Sequence, residues 1–369
     1  MSIDWRRVFC AAGLAATGGA AFANCDSIIN VDYASAVSTS NAAYAAEIIA
    51  SSPECFGGGS TTSRVQIGGT MFQQALAVSS AIASRQLADG PAPAMAMNDR
   101  GAAAGGKPGR FNVWGNIGET DSRQRYAAFN GYSSGYARNE MDLLNTVLGL
   151  DYAFSPTLLA GASLGIDRGD GSGGNTDPAF SINKIKSKGY VFAPYLGWQI
   201  NRTFSFDASA GFGKGEIKTF TTNKVDADRW FAAANLNYQR WLGNIQFSGR
   251  ASYLHGVEDY GDIKVSGVSF AGTDARNTLD QVRLGVQAGY WMNGVMPYAA
   301  LAYVNDVRRK TTQFGAPSNP IGRDAWEWRL GVNFFSLSQG VTGGIAYSRE
   351  EGRSKQNSNN LTANINFRF

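Results

Sequence analysis

The chain has 369 residues with a net charge of +4 and no block of like charge, which gives no basis for a nucleic-acid partner. Charged residues are only 17%, aromatics 12%, and there are 45 glycines, a mixture suited to short strands joined by flexible turns and girdled by aromatic rings. Beyond the N-terminal stretch no run approaches the roughly 18 consecutive apolar positions of a transmembrane helix, so a helical membrane protein is excluded.

The first elements are not strands. MSIDWRR, the small apolar run VFCAAGLAATGGA and AFA before Asn24 form the basic start, short apolar core and A-x-A exit of a secretory signal peptide over residues 1–23. A short buried helix is the alternative. Asn24 before Cys25 disfavours a lipoprotein. Cleavage after Ala23 removes Cys10 and leaves Cys25 and Cys55, an even pair expected to form a disulfide in an oxidising compartment. Closing a loop of about thirty residues would contribute roughly 3 to 4.7 kcal/mol by chain entropy. The bridge would tie a short segment, 24–63, in which Tyr33, Val37, Tyr44 and Ile48 recur near the helical period.

Residues 64–88 predict a second helix, with Thr61, Thr62 or Ser63 as N-cap. Gln66, Gln73, Gln74, Ser79, Ser80 and Gln86 stand among its alanines, so neither face suits a bilayer; a wet, narrow channel or a protein surface are the two settings that fit. Residues 89–109, rich in Pro and Gly, read as a linker.

From residue 110 to 369 the period is two. Val282, Leu284, Val286, Ala288 and Tyr290 alternate with Gln281, Arg283, Gly285, Gln287 and Gly289; Trp326, Trp328, Leu330, Val332 and Phe334 alternate with Glu327, Arg329, Gly331 and Asn333. Twelve strands are predicted near 110–118, 141–154, 157–167, 188–200, 203–216, 227–242, 244–257, 278–292, 295–306, 323–336, 340–350 and 360–369. Short joints at Ser155 and Pro156, Asn201 and Arg202, Gly243, Asn293 and Gly294, and 336–339 alternate with long polar connections at 119–140, 168–187, 217–226, 258–277, 307–322 and 351–359. An even-stranded barrel with both ends in the periplasm requires that rhythm, and a soluble sandwich does not. Aromatics agree: Tyr152, Phe154, Trp198, Tyr238, Tyr290, Phe334, Phe367 and Phe369 lie beside the short turns, and Tyr190, Phe192, Trp230, Tyr303, Trp326 and Tyr347 toward the long loops. The expected fold is a closed antiparallel outer-membrane β-barrel of about twelve strands, its first strand paired with its last because an open edge in lipid would leave backbone groups unsatisfied.

With a signal peptide, a helix ahead of the barrel, FNVWGNI at 111–117, YLGWQI at 195–200, MPYAALAYV at 296–304, WEWRLGVNF at 326–334 and the terminal INFRF, the chain resembles the translocator β-domain of monomeric, type V autotransporters. The resemblance covers 64–369. It implies a monomer in outer-membrane lipid that uses the Sec machinery and then the barrel-assembly machinery, with the helix occupying the pore once a passenger has crossed. It also implies an assembly signal at Ile365, Phe367 and Phe369. The sequence departs from the family in having no long repetitive passenger and no paired asparagines for self-cleavage in the helix, so residues 24–63 are expected to stay attached. A passenger-less pore or surface adhesin is the alternative.

By strand parity the inward polar residues are Asp151, Asp207, Arg250, Gln281, Arg283, Gln287, Glu327, Arg329, Asn333 and Arg368. Their mixed signs suggest mutual pairing and support of the helix more than an ion filter. His255 falls on the outward parity, which argues for an interfacial residue over a catalytic base. No catalytic constellation, cofactor motif or metal-ligand spacing appears, and no enzyme is expected. The stretch 168–178 reads as a Gly- and Asp-rich loop. Within it an adhesive role for Arg168, Gly169 and Asp170, or calcium binding by Asp167, Asp170 and Asp177, is weaker than the loop reading.

Overall fold

A computed structural model of the chain describes residues 75–79, 81–82, 110–127, 136–175, 183–219, 223–262, 264–265, 267–269, 274–313, 316–318, 321–336 and 340–369. The expected signal peptide at 1–23, the 24–63 segment with the expected Cys25–Cys55 disulfide, the expected linker at 89–109 and most of the 64–88 stretch lie outside these residues.

The strands in chain order are β1 (Phe111–Ala127), β2 (Tyr136–Ala153), β3 (Leu158–Asn175), β4 (Asn183–Gln199), β5 (Phe204–Thr219), β6 (Asn223–Leu242), β7 (Ile245–Tyr260), β8 (Lys264–Val265), β9 (Val268–Ser269), β10 (Ala275–Tyr290), β11 (Val295–Gln313), β12 (Ala316–Ser318), β13 (Asp324–Ser336), β14 (Val341–Glu351) and β15 (Gln356–Arg368). Each of the twelve long strands pairs antiparallel with its neighbours in sequence, and β1 pairs with β15 from Asn112 opposite Arg368 to Gln124 opposite Gln356. The sheet is therefore closed and has no free edge, the arrangement that satisfies every strand in lipid. The seam ends in a hydrogen bond of 2.9 Å from the Phe369 amide to the Phe111 carbonyl. The pieces β8, β9 and β12 are short additions at the long-loop end.

The wall is inside out relative to a soluble domain. Outward positions carry large apolar residues left exposed, such as Val286 at 65%, Leu148 at 59% and Ile345 at 59%. Inward positions bury polar ones: Asn112, Asp151, Asp167, Asp207, Glu258, Asn277 and Asp306 are wholly inaccessible. Only a bilayer around the barrel makes that pattern favourable. At the short-turn end Phe154, Trp198, Tyr290, Phe334, Phe367 and Phe369 are exposed, and nearer the long loops Tyr190, Phe192, Trp230, Trp326 and Tyr347. Asn293 and Gly294 both take positive φ, 47° and 91°, as a two-residue hairpin turn requires.

The strand starts and stops at the short turns fall within a few residues of the sequence expectation. At the other end the expectation falls short: β1 runs to Ala127, β3 to Asn175 and β11 to Gln313, well into stretches read as loops. Pairing of the backbone continues past the bilayer, whereas the apolar alternation that marks a strand in sequence is imposed only where one face meets lipid. One parity break is also hidden. A bulge between Asp280 and Gln281 shifts the β10–β11 register, so that Asp280 faces Arg308 while Gln281 faces Asp306.

Candidate functional site

The candidate site is the barrel interior, and it has two unlike halves. Residues 75–79 and 81–82 are helical. Ala75, Val78, Ala81 and Ile82 are buried in one cluster with Trp114, Val147, Val191, Ala193, Tyr195, Phe231, Ala233 and Leu254, all from β1 to β7. Val78 and Ile82 are completely inaccessible. The helix is also anchored by a polar contact, since Asn235 Nδ2 donates to Ser79 Oγ at 3.2 Å.

Below and beside this cluster, buried carboxylates are held by neutral donors. Asp151 of β2 accepts from Asn112 Nδ2 at 2.8 Å and from the Tyr195 hydroxyl at 2.9 Å, and Trp114 Nε1 donates to that hydroxyl at 2.7 Å. Glycine makes room for this stack, because a Cβ on Gly149 would lie 2.2 Å from the Trp114 ring. Asp207 of β5 accepts from Asn235 at 2.6 Å and Asn237 at 3.1 Å, and Arg250 Nε donates to Asn237 Oδ1 at 2.8 Å. The helix-binding residue Asn235 is thus itself oriented by a buried charge.

The other half, walled mainly by β10, β11 and β13 to β15, encloses a cavity among the described residues. This cavity, of about 230 Å³, runs between Leu76, Ala77 and Ser79 on the helix side and Arg250, Arg283, Gln287, Glu327 and Arg329 on the wall. Glu327 accepts from Arg283 Nη2 at 3.0 Å and from Arg329 Nη2 at 3.0 Å, so one carboxylate holds two guanidinium groups along the lumen. Gln281 and Asn333 line the same space. Arg368 is half-buried opposite Asn112 at the short-turn end of the seam. Ile365, Phe367 and Phe369 face outward and are exposed.

Toward the long loops two further charge clusters cross the interior. Arg229, with a side chain 1% exposed, donates through Nε to Glu258 Oε1 and through Nη1 to Asp167 Oδ1, each at 2.7 Å. Arg353 reaches from the β14–β15 turn to Asp306 Oδ2 at 2.6 Å, and Gln281 Nε2 donates to the other oxygen at 2.7 Å. Sequence reading missed both clusters. Glu258, Asp306, Arg353 and Asp167 stand at or beyond the predicted strand ends, where polar residues occupy both parities; the one available signal was a charge in step with the inward parity.

One minor reading is corrected, and the outward placement of His255 agrees with the structure. Residues 168 to 175 continue β3 and are not a loop, and Asp167 points into the barrel while Arg168 and Asp170 are exposed outside, so Asp167 and Asp170 cannot share a calcium ion. His255 lies on the outer wall, its ring 4.9 Å from that of Trp230 and its Nδ1 paired with Asp280. Among the described residues no group of three or more His, Cys, Asp or Glu is arranged to hold a metal ion.

No curated protein matches the sequence. Among solved structures, the barrel is similar to the translocator domain of the autotransporter NalP from Neisseria meningitidis, at 12% identity and a TM-score of 0.54, covering 79% of this chain and 98% of that one. It is similar too to the β-domain of the Bordetella autotransporter BrkA, at 15% identity and TM-score 0.52 over 70% of this chain and 100% of that one. The transport unit of AIDA-I from Escherichia coli gives 13% identity and TM-score 0.54, over 70% and 90% respectively. At these identities the likeness speaks for the fold. The family is shown by the sequence itself, because the autotransporter β-domain matches residues 111–348, well over half of the chain. With the closed twelve-strand barrel, the apolar outer wall and that match in hand, the chain belongs to the autotransporter β-domain family and is an outer-membrane translocator of a Gram-negative bacterium.

Proposed function

We propose that this translocator carries residues 24–63 to the cell surface and keeps them there, with the 64–88 segment retained in the lumen as a plug. The observation that carries the reading is the packing of Val78 and Ile82 against Trp114, Val147 and Phe231, together with the bond from Asn235 to Ser79. A segment so held leads the chain ahead of it through the barrel, and its burial favours staying over release. The wall residues Asp207, Arg250 and Asn237 act as its polar support, and Asp151 braces the Trp114 side. Arg283, Gln287, Glu327 and Arg329 face the cavity beside the helix; Arg368 closes the seam below. Family membership favours this reading over a passenger-less pore or adhesin, and a transport unit needs no catalytic group.

The finer parts follow from the family's route. Residues 1–23 would direct Sec export, Cys25 and Cys55 would join in the periplasm, and the strand ending Ile365, Phe367, Phe369 would be read by the barrel-assembly machinery, giving a monomer. The test is an epitope tag inserted at Ser51. Added protease should remove it from intact cells. Protection until the outer membrane is opened would sink the display reading.

A further inference from the structure

The outer wall above the long-loop aromatic belt is unevenly charged. Strand register makes this plain in rows that climb two residues at a time. Leu164, Phe192 and Phe212 form a belt row across β3, β4 and β5, followed by Ile166, Tyr190 and Lys214, then Arg168, Lys188 and Glu216, then Asp170, Lys186 and Lys218. Lys184 continues the outward parity of β4. The strands β3 to β5 carry six outward cations here, Arg168, Lys184, Lys186, Lys188, Lys214 and Lys218, against two carboxylates of their own, Asp170 and Glu216, while Asp228 of β6 lies 3.7 Å from Lys214 at the edge of the face. β4 alone presents three lysines on alternate residues and no acid.

The few internal pairs do not use up this charge. Lys186 and Asp170 are 3.7 Å apart with side chains 73% and 76% exposed, and Glu216 is shared by Lys188 at 3.3 Å and Lys218 at 3.5 Å. Next along the wall acids predominate: Glu119, Asp121, Glu140 and Asp142 project from β1 and β2, with Arg123 placed between Asp121 and Glu140. A ring of positive charge around the whole rim would serve general adhesion to the membrane. A single basic face next to an acidic one selects a ligand.

We propose that the outward face of β3 to β5 binds the phosphate-bearing headgroup of an outer-leaflet lipid. Height supports this choice. At roughly 3.3 Å per residue Lys188 stands about 7 Å along the strand above Tyr190, and Lys186 about 13 Å, the zone just past the aromatic ring of an interface where lipid phosphates lie. The rows of Leu164, Phe192 and Phe212 beneath supply the apolar wall for the acyl chains of the same lipid. Charge and apolar surface thus fit the two ends of one molecule.

The test uses the full chain folded in dodecylmaltoside, with bisphosphorylated lipid A as probe, bound adducts read by native mass spectrometry and folding checked by heat-dependent gel mobility. Wild type should bind lipid A in preference to its dephosphorylated form. Lys184→Gln, Lys186→Gln and Lys188→Gln combined should weaken binding on the order of 100-fold, from three charges near an anionic headgroup, while Lys310→Gln on β11 should leave it unchanged. Should the triple variant not fold, Lys186→Gln with Lys214→Gln makes the same demand from adjacent strands. Equal binding of the dephosphorylated lipid, wild-type affinity in the lysine variants, or full displacement by inorganic phosphate at matched concentration would each overturn the proposal.

Discussion

Replacing Arg229 with methionine should be among the most damaging single changes in the wall. The guanidinium lies over β5 and β4 on its way from β6 to Asp167 on β3, in a trough left by two glycines: a Cβ at Gly189 would stand 2.1 Å from Nη1, and one at Gly215 2.5 Å from the group's centre. Its partners Asp167 and Glu258 are fully buried, with bonds of 2.7 Å each. Methionine fills most of the volume and leaves two carboxylates without their cation, which predicts a loss of about 3 to 5 kcal/mol. Adding Asp167→Asn and Glu258→Gln to the same chain should restore most of it, since amides carry no charge to desolvate. Arg229→Lys should fall between, because an ammonium cannot offer the two-pronged geometry that reaches both partners. The assay is urea unfolding in lipid micelles followed by tryptophan fluorescence, with a thermodynamic cycle over the three positions. A loss below about 1 kcal/mol for Arg229→Met, or no recovery in the triple variant, would refute the view that the pairing of charge holds this region.

Deleting residues 64–88 should convert a nearly closed barrel into one with sustained conductance in planar bilayers, because the helix fills the half walled by β1 to β7; equal currents before and after deletion would count against a plug. Gly149→Val should push Trp114 off its strand, break the bond to Tyr195 and cost about 1 to 3 kcal/mol, seen as a lost near-ultraviolet dichroism signal; an unchanged signal would mean that the stack adapts. Phe369→Ala keeps the backbone bond to Phe111 yet removes the exposed ring, so folded barrel in cells should drop several-fold while the stability of purified protein holds; normal assembly would remove Phe369 from the recognition signal.

Much of this architecture was legible because lipid enforces parity. Along 280–290 and 326–334 every second residue meets hydrocarbon, so the alternation could be read directly, and Arg283, Gln287, Glu327 and Arg329 fell on the inner side by counting. Outside the bilayer that constraint lapses. Glu258, Asp306 and Arg353 carry the upper charge clusters, yet in sequence they sit among polar neighbours that look like loop. The bulge at Asp280 and Gln281 left no composition mark at all. Trp114 was silent for the opposite reason: an apolar ring pointing into a polar interior looks like any wall residue until Gly149 and Tyr195 are seen around it. The division of the lumen was equally hidden, since the alanine-rich helix fitted a channel or a surface alike, and only the partners of Val78 and Ser79 distinguish them.

The seam from Phe111 to Phe369 sets an order in time. Its two strands are separated by nearly the whole barrel, so closure is the least local contact in the molecule and the last that synthesis permits. Every residue ahead of β1 has left the ribosome long before the strand that completes the ring exists. The helical residues packed against β1 to β7 are therefore made before the strand that closes the ring around them.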